Sequence, residues 1–234
     1  MIYNKYSSKS WVYLLIILML SSCAGSRGLD YRSPAFSSTT SVELAYTTPL
    51  STVALIVGDR ARLRSDRFLS AMVSRVMKEA LMTHRDALHL TNEVVIDSLQ
   101  RQAVLREASI AVRQLVLKKT TDSLRFPLLD QLTQQQERRY VFLSLCTGFT
   151  RTNDNYLRAS VANDNPRKAS TTIYALVYDK QSQRIVYAQG LTESHEPLDP
   201  ARMAQHLQRL LNADFGFAQK SAGYPNANPV SESH

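Results

Sequence analysis

Thr171-Thr172-Ile173-Tyr174-Ala175-Leu176-Val177-Tyr178-Asp179 and Arg184-Ile185-Val186-Tyr187-Ala188-Gln189-Gly190, separated by Lys180-Gln181-Ser182-Gln183, are the stretch that decides the fold. Both flanks are rich in β-branched and aromatic residues and the segment between them is wholly polar, which reads as a β-hairpin. Towards the C-terminus, Asp199 is a good helix N-cap and Pro200 a good first position. They open a helix in which Met203, Leu207, Leu210 and Leu211 make one apolar stripe, ending near Asp214 before Gly216. From Ala218 on, Gly, Pro, Asn and Ser dominate, so 218–234 reads as a disordered tail.

Towards the N-terminus, Tyr140 to Thr150 alternates and is β-rich, whereas 151–169 holds Asn153, Asp154, Asn155, Asn163, Asp164, Asn165 and Pro166 and reads as a loop or long hairpin tip. Thr52-Val53-Ala54-Leu55-Ile56-Val57, closed by Gly58 and Asp59, suits a strand buried on both faces. Ser65 as N-cap and Asp66 in the first turn introduce Leu69, Met72, Val73, Val76, Ala80 and Leu81 at three- and four-residue spacings, a helix over 66–83. Residues 87–91 then suggest a short strand, Asn92 caps a helix at 93–102, a second helix covers 104–118, and Pro127 opens a third over 127–137. The fold class is therefore α/β of the α+β type: a single mixed or antiparallel sheet packed with helices, with a closing β-hairpin and then a C-terminal helix. The domain runs from 51 to 217, after a Ser-, Thr-, Gly- and Pro-rich linker over 23–50.

The first residues carry Lys5 and Lys9 and no acid, and Trp11 to Leu20 then runs apolar without a break. That is the charged start and apolar middle of a signal peptide over 1–22, and ten residues are about half of the roughly 20 a membrane-spanning helix needs. Leu20-Ser21-Ser22-Cys23 resembles the lipobox of bacterial lipoproteins. The resemblance implies diacylglycerol on the Cys23 thiol, cleavage before Cys23 and acylation of the new amino group. More than one acyl chain makes a stable anchor, each buried methylene contributing about 0.8 kcal/mol. Ala24 follows Cys23 where many retained enterobacterial lipoproteins have aspartate, and Ser26-Arg27-Gly28 is not an acidic surface-export cluster. The expected location is thus the periplasmic side of the outer membrane. A flexible linker of this length reaches roughly 30 Å, so the domain works close to that membrane.

The 234-residue precursor carries a formal charge of +8, and loss of Lys5 and Lys9 leaves +6 on the mature chain. Export and the absence of aromatic interleaving speak against nucleic acid; the surface is either simply solvated, with no specific partner, or suited to anionic lipid, lipopolysaccharide or an acidic protein. Arg60, Arg62, Arg64 and Arg67, clustered between strand and helix, are candidates for an anion or partner contact. With Cys23 consumed by lipid, Cys146 is left as a lone thiol inside a strand-like run, expected buried and inert.

The five histidines, His84, His89, His195, His206 and His234, match no compact metal motif, and His206 is expected on the exposed side of the last helix. No nucleophile elbow is present. The expectation is therefore no enzyme, no metal and no cofactor.

The order of elements resembles the periplasmic αβ domain shared by the curli-secretion lipoprotein, the lipoprotein activator of penicillin-binding proteins and the amino-terminal domain of the Tol-system propeller protein. It is carried by Val53 to Val57, Tyr140 to Ser144 and the Tyr174 to Gly190 hairpin, and covers most of 51–215. The middle helical region is longer than that family's, and Gln181-Ser182-Gln183 stands where its hairpin turn has glycine. The resemblance implies protein contacts and no catalytic residues. The expected function is a noncatalytic protein-binding or assembly module held by an N-terminal lipid, with a periplasmic or envelope protein as partner. A subunit of an outer-membrane secretion or transport complex is one alternative; a small-ligand binder or an enzyme without a recognisable motif is the other.

Overall fold

The structure, a computed structural model, describes residues 28–34, 36, 43–57, 65–118, 120, 124–162 and 166–212. The signal peptide, Cys23, Arg60, Arg62, Arg64 and the tail over 218–234 lie outside the described residues. In chain order the elements are β1 (Asp30–Arg32), β2 (Leu44–Thr47), β3 (Leu50–Ile56), α1 (Arg67–Met82), β4 (Leu90–Val94), α2 (Ser98–Lys118), α3 (Pro127–Thr133), β5 (Tyr140–Arg151), α4 (Asn153–Ala162), β6 (Ala169–Asp179), β7 (Arg184–Glu193) and α5 (Pro200–Asn212).

Seven strands form one mixed sheet in the order β1-β7-β6-β5-β2-β4, with β3 also paired to β5. β5 is long enough to take two neighbours along one edge: Leu44 to Tyr46 lie parallel to Tyr140 to Phe142, and Leu50 to Ile56 lie parallel to Leu145 to Arg151. Across Thr48-Pro49, where the proline has no N–H to give the ladder, the register slips by one residue. The other edge of β5 pairs antiparallel with β6, from Tyr140↔Asp179 to Thr150↔Ala169. The closing hairpin is therefore the middle of the sheet.

Strand alternation feeds two cores. Phe142, Cys146, Ile173, Val177 and Tyr187 face one way, under Val73 and Met77 of α1 and Met203 and Leu207 of α5. Val141, Leu143, Leu145, Leu176 and Tyr178 face the other, under Val104, Ala108, Val112 and Leu115 of α2, Leu129 of α3 and Phe126 just before it. Helices thus cover both faces. Each fully buried side chain of this size contributes about 1.5–3 kcal/mol against exposure, and Met203, Leu207, Leu210 and Leu211 together hold α5 on the sheet. The Tyr178 hydroxyl donates to the Asp130 carboxylate and its ring meets Phe126 edge-on, tying α3 to the hairpin.

The hairpin turn works without glycine because Gln183 takes φ 56, the left-handed position. Asp179 pays for that turn: its carboxylate accepts from Gln181 N–H at 3.0 Å and Ser182 Oγ at 2.9 Å. Arg139 clamps the same carboxylate through Nε and Nη2, both at 2.8 Å.

Several local expectations are corrected. The N-cap of α1 is Asp66, which accepts from Leu69 N–H at 2.8 Å, and Ser65 sits one residue outside. Asn92 caps nothing, for it lies inside β4; Thr91, Val94, Val95 and Ile96 favour extended backbone through β-branching. The two helices read at 93–102 and 104–118 are one helix, α2, opened by Asp97. The helix at Pro127 stops at Thr133. The loop read at 151–169 contains α4: the Thr152 carbonyl accepts from Tyr156 N–H at 2.9 Å, so the Asn153-Asp154-Asn155 cluster is a helix start. The stretch read as linker carries β1 and β2, and Leu29, Phe36, Leu44, Ala45 and Tyr46 within it are core residues.

Candidate functional site

Three places on the described surface bring side chains together beyond what packing needs. The first is an open apolar groove of about 400 Å³ on the face that α2 covers. Its floor is Leu145 and Thr147 of β5 and Tyr174 of β6, and its wall is Val112, Arg113, Val116 and Leu117 in the last turns of α2. The groove exists because α2 crosses the sheet with Val112 and Leu115 facing it and then runs past the end of its own core contacts, leaving Val116 and Leu117 56% and 67% exposed. Its lining is apolar apart from Ser109, Arg113, Thr147 and the hydroxyl of Tyr174.

The second is a cleft of about 420 Å³ between the start of α1 and the start of α2, of mixed lining, with Arg67, Arg101, Ser51 and Ser70 beside Leu99 and Leu105. Arg67 is exposed there, the one member of the sequence-predicted arginine cluster within the described residues. Arg101 was not singled out by sequence. Its guanidinium donates to the Pro49 carbonyl at 2.9 Å and to Ser74 Oγ, and burial lowers its pKa from the ordinary value.

The third lies where α5 folds back on the end of β7. His206 is fully buried between Met203 and Leu210 of the apolar stripe, which corrects the expectation that it faces solvent. Its Nε2 lies 3.0 Å from the Leu191 carbonyl and its Nδ1 2.8 Å from His195 Nε2. His195 Nδ1 in turn lies 2.9 Å from the Glu196 carbonyl. Both carbonyls can only accept, so both of those ring nitrogens carry hydrogen. Burial pushes the pKa of His206 down to about 4, against the raising pull of the Glu193 carboxylate and the Leu191 carbonyl. Glu193 completes the group, and one donor atom from each of Glu193, His195 and His206 lies within 4.8 Å of the others. The loop that carries His195 is pinned: Thr171 Oγ1 donates to the His195 carbonyl at 2.9 Å, and Thr150 Oγ1 to the Glu196 carboxylate at 2.6 Å. The missed signal was the spacing of Met203, His206, Leu207 and Leu210, which places His206 on the buried stripe.

Cys146 is buried on the face under α1 and α5, and burial pushes its thiol up to about 12. Such a thiol is neither a nucleophile nor a redox partner. Among the described residues, no helix is long and apolar enough to cross a membrane.

No protein-family model matches the sequence, and no curated protein does. Among solved structures, the chain is similar to the PelC dodecamer from Paraburkholderia phytofirmans, at 8% identity and a TM-score of 0.35 over 78% of this chain and 91% of that one. The lipoprotein GNA1162 from Neisseria meningitidis aligns at 10% identity and a TM-score of 0.34, over 74% and 96%. The LpoB C-terminal domain from Salmonella enterica aligns at 11% identity and a TM-score of 0.29, over 78% and 94%.

Proposed function

We propose that this chain is an exported envelope lipoprotein, held at the periplasmic side of the outer membrane by acyl groups on Cys23, whose αβ domain docks a protein partner and performs no chemistry of its own. The observation that carries the docking half is the groove beside Val116 and Leu117. It is apolar and open, as a docking surface is, where an active site needs convergent polar groups in a concave pocket. Its occupant is an amphipathic segment of an acidic envelope protein. The Arg113 guanidinium at the groove and the excess of Lys and Arg over Asp and Glu, 28 against 20 in the precursor, are the complement such a segment needs. Arg67, with Arg60, Arg62 and Arg64, offers further contacts to an anionic partner surface.

The anchor half is tested by fractionating cells that express Cys23→Ala. The expected result is loss of the protein from membranes, together with loss of the acyl mass that the wild-type chain carries. Persistent membrane association with an unshifted mass overturns it.

A further inference from the structure

The Glu193, His195 and His206 cluster is built beyond what holding α5 in place requires. Two neutral imidazoles that each donate their single N–H to a backbone carbonyl have one lone pair left apiece. Here those lone pairs, His195 Nε2 and His206 Nδ1, face each other at 2.8 Å. A contact this short needs an electrophile between the two nitrogens, either a proton or a metal ion. A third donor is at hand, for an oxygen of the Glu193 carboxylate and one donor atom from each histidine all lie within 4.8 Å of one another. The Arg209 guanidinium holds one of its oxygens, Oε1, at 3.0 Å and leaves the other for a further contact.

We propose that this cluster is a binding site for a divalent transition metal of the zinc class, with His195 Nε2, His206 Nδ1 and a Glu193 oxygen as ligands and water in the fourth position. The donor set, two imidazoles and a carboxylate, is one that zinc accepts in four-coordinate sites. The outer contacts are those that metal-bound histidines make. Each ring donates its other N–H to a carbonyl, of Leu191 or Glu196, which fixes the tautomer that leaves the correct nitrogen free. Bond lengths of about 2.0–2.1 Å set two tetrahedral ligand nitrogens about 3.3 Å apart, so the rings need to part by about half an ångström. The half-buried His195 ring supplies that movement by rotating about its side-chain bonds while Thr171 holds its backbone, because His206 is locked in the core. The ion would join the end of β7 to α5, and its water would face the partly exposed side formed by Glu193 and His195.

The test uses the full-length chain in detergent, stripped with a chelator and titrated with Zn²⁺. At a hundredfold excess over the dissociation constant, Tm is expected to rise by about 5–10 °C. Cobalt(II) in place of zinc is expected to give the visible absorption of a four-coordinate ion. His195→Ala and Glu193→Gln, both outside the fully buried core, are expected to keep a folded metal-free protein and to lose the Tm rise and the cobalt bands. An unchanged Tm with Zn²⁺ means a proton-bridged histidine pair only, and overturns the proposal. So does a rise that persists in His195→Ala, which would place the ion elsewhere.

Discussion

Replacing Asp179 by alanine removes the group on which the closing hairpin turns, and its effect can be worked from the contacts. The side chain is 3% exposed and accepts four hydrogen bonds, two from the turn and two from Arg139. Gln181 N–H and Ser182 O–H each lose a charged acceptor, and because both residues are exposed and water replaces part of the bond, the loss is about 1 kcal/mol apiece. The Arg139 guanidinium is half in solvent, so it is rehydrated and adds little. The expected loss is about 2 kcal/mol, which for a domain of this size lowers Tm by about 4–8 °C. Thermal unfolding followed by near-ultraviolet circular dichroism reads it directly. A pH series gives the sign. Burial pushes the Asp179 carboxyl up, but the hydrogen bonds from Arg139, Ser182 and Gln181 outweigh it and hold the carboxyl below its ordinary value. Its stabilisation is therefore complete well above the unfolded value of about 3.9 and is lost as pH falls through the folded value. The gap between the wild type and Asp179→Asn should be constant from neutral pH to about 5 and should close below about 4. A gap that holds to the lowest pH at which the protein folds, or Asp179→Ala with an unchanged Tm, refutes the reasoning.

Two further outcomes follow from the packing. Gly148 lies where a Cβ would come within 2.1 Å of the Ser170 carbonyl oxygen on the paired strand, so Gly148→Ala forces β5 and β6 apart; urea unfolding should show a loss of at least about 1–3 kcal/mol. The Cys146 thiol, buried and raised to about 12, should take up no maleimide in the native protein at pH 8 and react fully in urea, as mass spectrometry of the Cys146 peptide would read.

The hairpin and the last helix were legible because each repeats one period without conflict. Tyr174 to Asp179 alternates over the two cores, and Met203, Leu207, Leu210 and Leu211 hold one helical face under an Asp199-Pro200 start. Elements whose local signals compete were not. Asn153-Asp154-Asn155 serves equally as a turn or as a helix start, and only the bond from Tyr156 N–H to the Thr152 carbonyl decides. β1 and β2 are three and four residues long, too short to show a period, and owe their conformation to their partners Ala188 and Val141. His206 was misplaced because a histidine in an apolar stripe reads as polar until the partners that satisfy it, Leu191 and His195, are brought to it from another element. The groove could not be read at all. It depends on where α2 ends relative to Leu145 and Tyr174, a tertiary relation with no local trace.

The docking groove is the central claim, and photo-crosslinking in intact cells tests it most directly. A crosslinking residue placed at Val116, beside the groove, should capture one envelope protein reproducibly. The same residue at Arg75, on the exposed side of α1 across the sheet, should not capture it, and Leu117→Asp should abolish capture from Val116 while leaving Tm unchanged. Equal capture from both positions, or capture from Val116 that survives Leu117→Asp, would contradict the account.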